Sequence, residues 1–115
     1  MSPRSRDGAV LRLQRNAPVF AALGDETRLT LVERLSGGAP VSIARLTEGS
    51  SLTRQAITKH LRVLKDAGLV RDARRGRENL FALEPGPLDE ARRVLDGISR
   101  QWDVALARLK AHVER

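Results

Sequence analysis

Residues 51–70, SLTRQAITKHLRVLKDAGLV, constrain the fold more than any other stretch, because they spell one helix with a start, a stop and two unlike faces. Thr53 suits the N-cap, since its hydroxyl oxygen can accept from the amides two or three residues on. Gly68 supplies the left-handed residue that ends helices. Ala56, Ile57, Leu61 and Leu64 recur at spacings of three and four, so they form a stripe that must be buried against the rest of a domain. Arg54, Gln55, Thr58, Lys59 and Arg62 fall on the other side.

That second face mixes long cations with an amide and a hydroxyl and contains no carboxylate. A merely solvated helix face usually interleaves both signs and gains i,i+4 pairs from doing so. A polyanion is the natural partner. Arg and Lys neutralise phosphates or chelate guanine edges, and Gln pairs with adenine, so these residue types suit a helix lying in a DNA major groove. The expected DNA contacts on a helix spanning 53–67 are Thr53, Arg54, Gln55, Thr58, Lys59, His60 and Arg62, with Gln55 and Thr58 reading base edges beside Arg54 or Lys59. His60 is expected either to meet phosphate or to pack beneath the helix.

The charge distribution supports this reading. The chain carries a formal net charge of +7. Between positions 53 and 77, Arg54, Lys59, Arg62, Lys65, Arg71, Arg74, Arg75 and Arg77 face only Asp66 and Asp72, so eight cations against two carboxylates place +6 of the +7 there. Charge confined to one helix and the loop after it is an electrostatic footprint, whereas an evenly spread excess says little beyond solubility.

A chain of 115 residues is one domain's worth, able to bury about two thirds of its unfolded surface. Residues 9–115 are expected to form that domain, and residues 1–8 (MSPRSRDG), polar and with nothing to bury, a disordered tail. Cysteine is absent, which excludes a disulfide framework and a thiolate metal site. No apolar run approaches the roughly 20 residues of a membrane span and no signal-peptide core opens the chain, so no membrane partner and a cytoplasmic location are expected.

Along the chain, Val10, Leu11, Leu13, Val19, Phe20 and Leu23 indicate a first helical region, interrupted or restarted at Pro18 because proline is tolerated only in a first turn. Asp25 caps a second helix through Leu35, which the run Ser36-Gly37-Gly38-Ala39-Pro40 stops. Ser42 caps a short third helix with Ile43, Ala44 and Leu46, and a brief connection rich in Gly and Ser leads to the basic helix, making a helix-turn-helix. After Gly68 two short strands over 71–83, joined at Arg75-Gly76, make a basic hairpin, a wing whose tip carries Arg74, Arg75 and Arg77 toward a minor groove or backbone.

Pro87 suits the first turn of a last long helix. There Leu88, Ala91, Leu95, Ile98, Trp102, Ala105 and Leu109 recur at alternating steps of three and four, with Val94, Leu106 and Val113 widening the seam. So long a seam exceeds what a small winged domain needs for its own core, and part of it is expected to face a second subunit. Gly97 interrupts it as a weak helix former. The fold class is therefore mainly α (α+β): a winged helix-turn-helix of about five helices with a two-stranded β-hairpin wing.

With residues 20–28 (FAALGDETR), 56–70 (AITKHLRVLKDAGLV) and the wing 74–83 in place, the chain resembles the arsenical-repressor (ArsR/SmtB) family of bacterial winged helix-turn-helix repressors. Glu26 stands where that family commonly has proline. The resemblance implies a homodimer formed mainly by the first and last helices, through Phe20, Leu95, Ile98, Trp102, Leu106, Leu109 and Val113, with each subunit's fourth helix in one major groove of a palindromic operator. It further implies repression relieved by an inducer that the sequence does not identify. Metal-sensing members resemble one another in a cysteine pair on the third helix, or in Asp-x-His and His-x-x-acid pairs on the last. This chain has neither, and His112 stands alone, with Arg108 and Leu109 one turn back, so no metal or cofactor is expected. Residues 102–109 (WDVALARL) are similar to the ending of a cysteine-free branch of the family.

An enzyme lacks parts here: no cysteine nucleophile, two histidines on different elements and no glycine-rich phosphate loop. The competing reading is a winged helix that binds nucleic acid without sequence preference, or one that docks a protein through its charge.

Overall fold

The computed structural model describes residues 3–114 of the chain. Its order is α1 (Pro3–Leu23), α2 (Glu26–Leu35), β1 (Val41–Ser42), α3 (Ile43–Thr47), α4 (Arg54–Asp66), β2 (Val70–Arg75), β3 (Glu78–Leu83) and α5 (Pro85–Val113). Three helices start where a side chain can stand in for the missing turn. Asp25 accepts from the Arg28 amide, Ser42 from the Arg45 amide and Thr53 from the Ala56 amide, at 3.0, 3.1 and 3.1 Å. At the far end of α4, Gly68 takes φ +81° and directs the chain into the sheet.

The stripe that α4 turns inward is the centre of the core. Ile57, Leu61 and Leu64 are buried there with Leu35 of α2, Leu46 of α3, Leu69 and Phe81 of β3. Arg34 fastens α2 to the helix-turn-helix from outside, donating to the Leu46 and Arg45 carbonyls at 2.6 and 2.8 Å. These carbonyls close α3, where the Arg45 carbonyl also accepts from the Glu48 amide at 3.3 Å.

The sheet has three strands in the order β1-β3-β2, all antiparallel. The expected hairpin is present with Arg75 opposite Glu78, so its two-residue turn is Gly76-Arg77, one position later than expected, and the pairing begins at Val70. Gly76 has φ +62° and no non-glycine described residue has positive φ, the pattern of a type II′ turn with glycine first. The third strand was not expected. Val41 pairs with Phe81 and Ser42 with Leu80, covering the inner edge of β3 with a segment too short to show any periodicity.

Two helix starts also depart from expectation. The backbone of α1 is helical from Pro3, within the stretch expected to be a disordered tail, while Met1 and Ser2 lie outside the described residues. Proline is at home in a first turn, and adding turns to an existing helix requires no buried face. The same helix passes through Pro18 without restarting. Pro18 and Gln14, whose carbonyl loses its usual donor, are both exposed, so water can take the place of that bond. The last helix starts at Pro85 rather than near Pro87 and continues through Gly97. At about 1.5 Å per residue its 29 residues make a rod about 43 Å long, in a molecule 65 Å in longest extent. Its first turns lie against α1, tied by Arg15 and Glu90 at 2.8 Å.

Candidate nucleic-acid interface

Because Ile57, Leu61 and Leu64 hold one side of α4 in the core, its other side is fixed toward solvent. Arg54, Gln55, Lys59 and Arg62 are exposed and, with half-buried Thr58, line one open depression. Among the described residues, Arg54, Lys59 and Arg62 have no carboxylate within ion-pair distance. Arg74, Arg75 and Arg77 are likewise exposed and unpaired around the hairpin turn. Two cations of the same footprint are spoken for. Lys65 meets Asp72 at 2.7 Å and Arg71 meets Glu84 at 3.1 Å, which narrows the free charge to the middle of α4 and the wing tip. The Lys65 ammonium holds the Asp72 carboxyl below its ordinary value.

Three of the expected contacts have part of their hydrogen-bonding capacity engaged inside the fold. The Thr53 oxygen accepts from the Ala56 amide, which leaves its O–H free to donate to a phosphate at the start of the helix. The Thr58 hydroxyl donates back to the Arg54 carbonyl at 2.8 Å, so toward a base edge it offers lone pairs and a methyl group. His60 lies on the flank of α4, half-buried, with Nδ1 3.3 Å from Arg28 Nη1 and 3.7 Å from Asp25 Oδ2. Sequence reasoning missed Arg28 as a partner for His60. The two are 32 positions apart, and only the motif Gly24-Asp25-Glu26-Thr27-Arg28 drew attention to that corner.

The residues expected at a subunit interface separate into two groups. Phe20 is partly buried against the protomer's own core. Leu95, Ile98, Trp102, Leu106, Leu109 and Val113 are all exposed, from 43% at Leu106 to 74% at Val113, and they continue outward the face that α5 buries at Ala91. Val10 and Leu13 of α1 are also exposed. Among the described residues no group of three or more His, Asp or Glu side chains is arranged to hold a metal ion, and no helix is long and apolar enough to cross a membrane.

A capped reading helix after a tight turn, followed by a basic hairpin, defines a winged helix-turn-helix domain, and comparison with known proteins gives the family. A helix-turn-helix domain profile matches residues 23–73. The chain is 40% identical over 87 residues to the HTH-type transcriptional regulator Rv2034 of Mycobacterium tuberculosis, covering 76% of this chain and 78% of that one. It is 41% identical over 76 residues to the HTH-type regulator YuzN of Bacillus subtilis, covering 61% of this chain and 83% of the relative. The solved structure of an ArsR-like transcriptional regulator from Rhodococcus sp. RHA1 superimposes with a TM-score of 0.68 at 39% identity, over 84% of this chain and 91% of the other. The chain belongs to the ArsR family of winged helix-turn-helix transcriptional regulators, and is a DNA-binding regulator rather than an enzyme. It contains no cysteine.

Proposed function

We propose that this regulator acts as a homodimeric repressor in the cytoplasm, each protomer setting α4 into one major groove of a palindromic operator and its wing against the flanking backbone or minor groove. The observation that carries the reading is the single-signed outward face of α4: three unpaired cations around Gln55 and Thr58, on a helix whose opposite face is locked in the core. Isolated like charges crowded on one face repel one another, and a phosphate backbone relieves that repulsion. Thr53 and the free amides at the start of α4 suit a phosphate. Arg54, Gln55, Lys59 and Arg62 have the length and donors for base edges or phosphates, and Thr58 suits a thymine methyl or an amino donor. Arg74, Arg75 and Arg77 hold the flanking phosphates. Homodimerisation through the exposed stripe of α5 supplies the two-fold symmetry that a palindrome mirrors.

Selection of bound sequences from a random DNA pool tests this. The expected product is a two-fold repeat with half-sites about one helical turn, near 34 Å, apart. Gln55→Ala should then lose discrimination at one base pair by about 1–3 kcal/mol. Neutralising Arg75 should flatten the plot of log affinity against log salt by about one. Recovery of no motif would refute sequence-specific repression and favour a charge-driven binder or a protein-docking surface.

A further inference from the structure

The corner where α1 meets α2 carries a polar cluster that neither the core nor the basic face of α4 accounts for. Arg28, in the first turn of α2, spreads its guanidinium over two other helices. Nε donates to the Ala22 carbonyl at 2.6 Å and Nη2 to the Ala21 carbonyl at 3.5 Å, both in the last turn of α1. Nη1 faces His60 Nδ1, midway along α4, at 3.3 Å. The Arg28 amide donates to Asp25 Oδ2, and the same oxygen lies 3.7 Å from the His60 nitrogen.

Each contact answers a local need. The last turn of α1 has no basic residue of its own, and Arg28 supplies from another helix the cation that C-terminal carbonyls favour. Asp25 caps α2 by accepting from the Arg28 amide, and that bond, with the Arg28 charge, holds its carboxyl below its ordinary value. A guanidinium only donates, so the imidazole nitrogen it faces must accept, which leaves the ring proton on Nε2.

We propose that Arg28 is a positioning clamp that joins the end of α1 to α4 through His60, so that Arg28 and His60 set operator affinity without touching DNA. The inference rests on the DNA-binding reading of α4 and moves His60 out of the contact set. It also gives α1, one of the two helices that the family resemblance implies at a subunit interface, a direct polar connection to the reading helix. The planar fork is what allows one side chain to serve three acceptors in different directions.

The test uses wild-type protein to select a motif from random DNA, then a fluorescein-labelled duplex carrying that motif as the probe for R28Q, H60N and H60Q. Affinity is measured by anisotropy across a salt series, and folding by circular dichroism. R28Q is expected to weaken binding about ten-fold, the size of one lost charged hydrogen bond, with the salt slope unchanged; a slope lower by about one would mean Arg28 touches phosphate and overturn the clamp. The His60 pair decides the matter if R28Q does not fold. Asn places an amide oxygen where Nδ1 stood, whereas Gln places its polar atoms near Nε2, so H60N should bind at least about five-fold tighter than H60Q. Equal affinities, or the reverse order, would overturn the clamp. If wild-type protein selects no motif, the sequence-specific reading of α4 fails and the clamp on operator affinity with it; a motif with the wrong ranking removes the clamp alone.

Discussion

Replacing Leu109 by Glu tests the proposed dimer most directly, because the protomer has little use for this side chain. Leu109 is 58% exposed. Fully burying a leucine is worth about 1.5–3 kcal/mol, so covering the remaining exposed part contributes about 1–1.7 kcal/mol per protomer and, by symmetry, about 2–3.5 kcal/mol per dimer. Losing that much raises the dissociation constant roughly 30- to 300-fold, and two carboxylates facing an apolar seam raise it further. Trp102, two turns back on the same stripe, is the chain's single tryptophan and is 62% exposed in the protomer. Its emission should therefore shift to shorter wavelength as protein concentration rises through the dimerisation range, with sedimentation giving the mass over the same range. In L109E the shift should move to correspondingly higher concentration, while far-ultraviolet circular dichroism keeps its helical signal. A variant that stays dimeric at micromolar concentration, with unaltered Trp102 emission, would refute the assignment of this face to a second subunit.

Other consequences concern the protomer. Leu64 is 0% exposed at the centre of the core, so Leu64→Ala should cost about 2–5 kcal/mol in denaturant titration; a loss under 1 kcal/mol would show that α4 is not held by this stripe. Two glycines should respond in opposite directions to alanine. At Gly97 a Cβ meets nothing within 4 Å and should stabilise α5 by about 1 kcal/mol, whereas at Gly68, with φ +81°, it should destabilise by about 1–2 kcal/mol, both read from melting temperature. Asp25, Asp72 and Glu90 titrate below their ordinary values of 3.8, 3.8 and 4.5. Groups with lowered folded-state pKa add stability above those ordinary values and lose it as pH falls through the lowered ones. The melting temperature should therefore fall with acid below about pH 4.5, and D72N should flatten part of that dependence.

What was legible in the sequence was what depends on near neighbours. Thr53 and Gly68 bound α4 because a cap oxygen reaches three residues and a left-handed turn needs only itself. The inward stripe of Ile57, Leu61 and Leu64 followed from helical spacing. Contacts across the fold were not legible. The sequence counts Lys65 and Arg71 in the basic footprint without showing which carboxylates pair with them, Asp72 and Glu84, and nothing in it links His60 to Arg28. Strand β1 has two residues and therefore no period to detect. The extent of α1 was underestimated because helix propagation past a core is a matter of backbone cooperativity, which leaves no apolar pattern.

The two faces of the molecule with nothing of their own to contact constrain each other. Read together, the free cations of α4 and the exposed stripe of α5 mean that the proposed interface fixes more than stoichiometry. The stripe from Leu95 to Val113 is about 27 Å long at 1.5 Å per residue, and the angle at which two such stripes cross sets the distance between two reading helices. The proposed palindromic operator would require that distance to be near one helical turn, about 34 Å. A substitution in α5 that alters the crossing without breaking the dimer would therefore weaken operator binding while leaving each protomer's phosphate contacts, and hence its non-specific affinity, in place. The same logic gives an inducer a route that needs no contact with α4: any ligand that binds one crossing geometry better than the other shifts operator affinity by that difference.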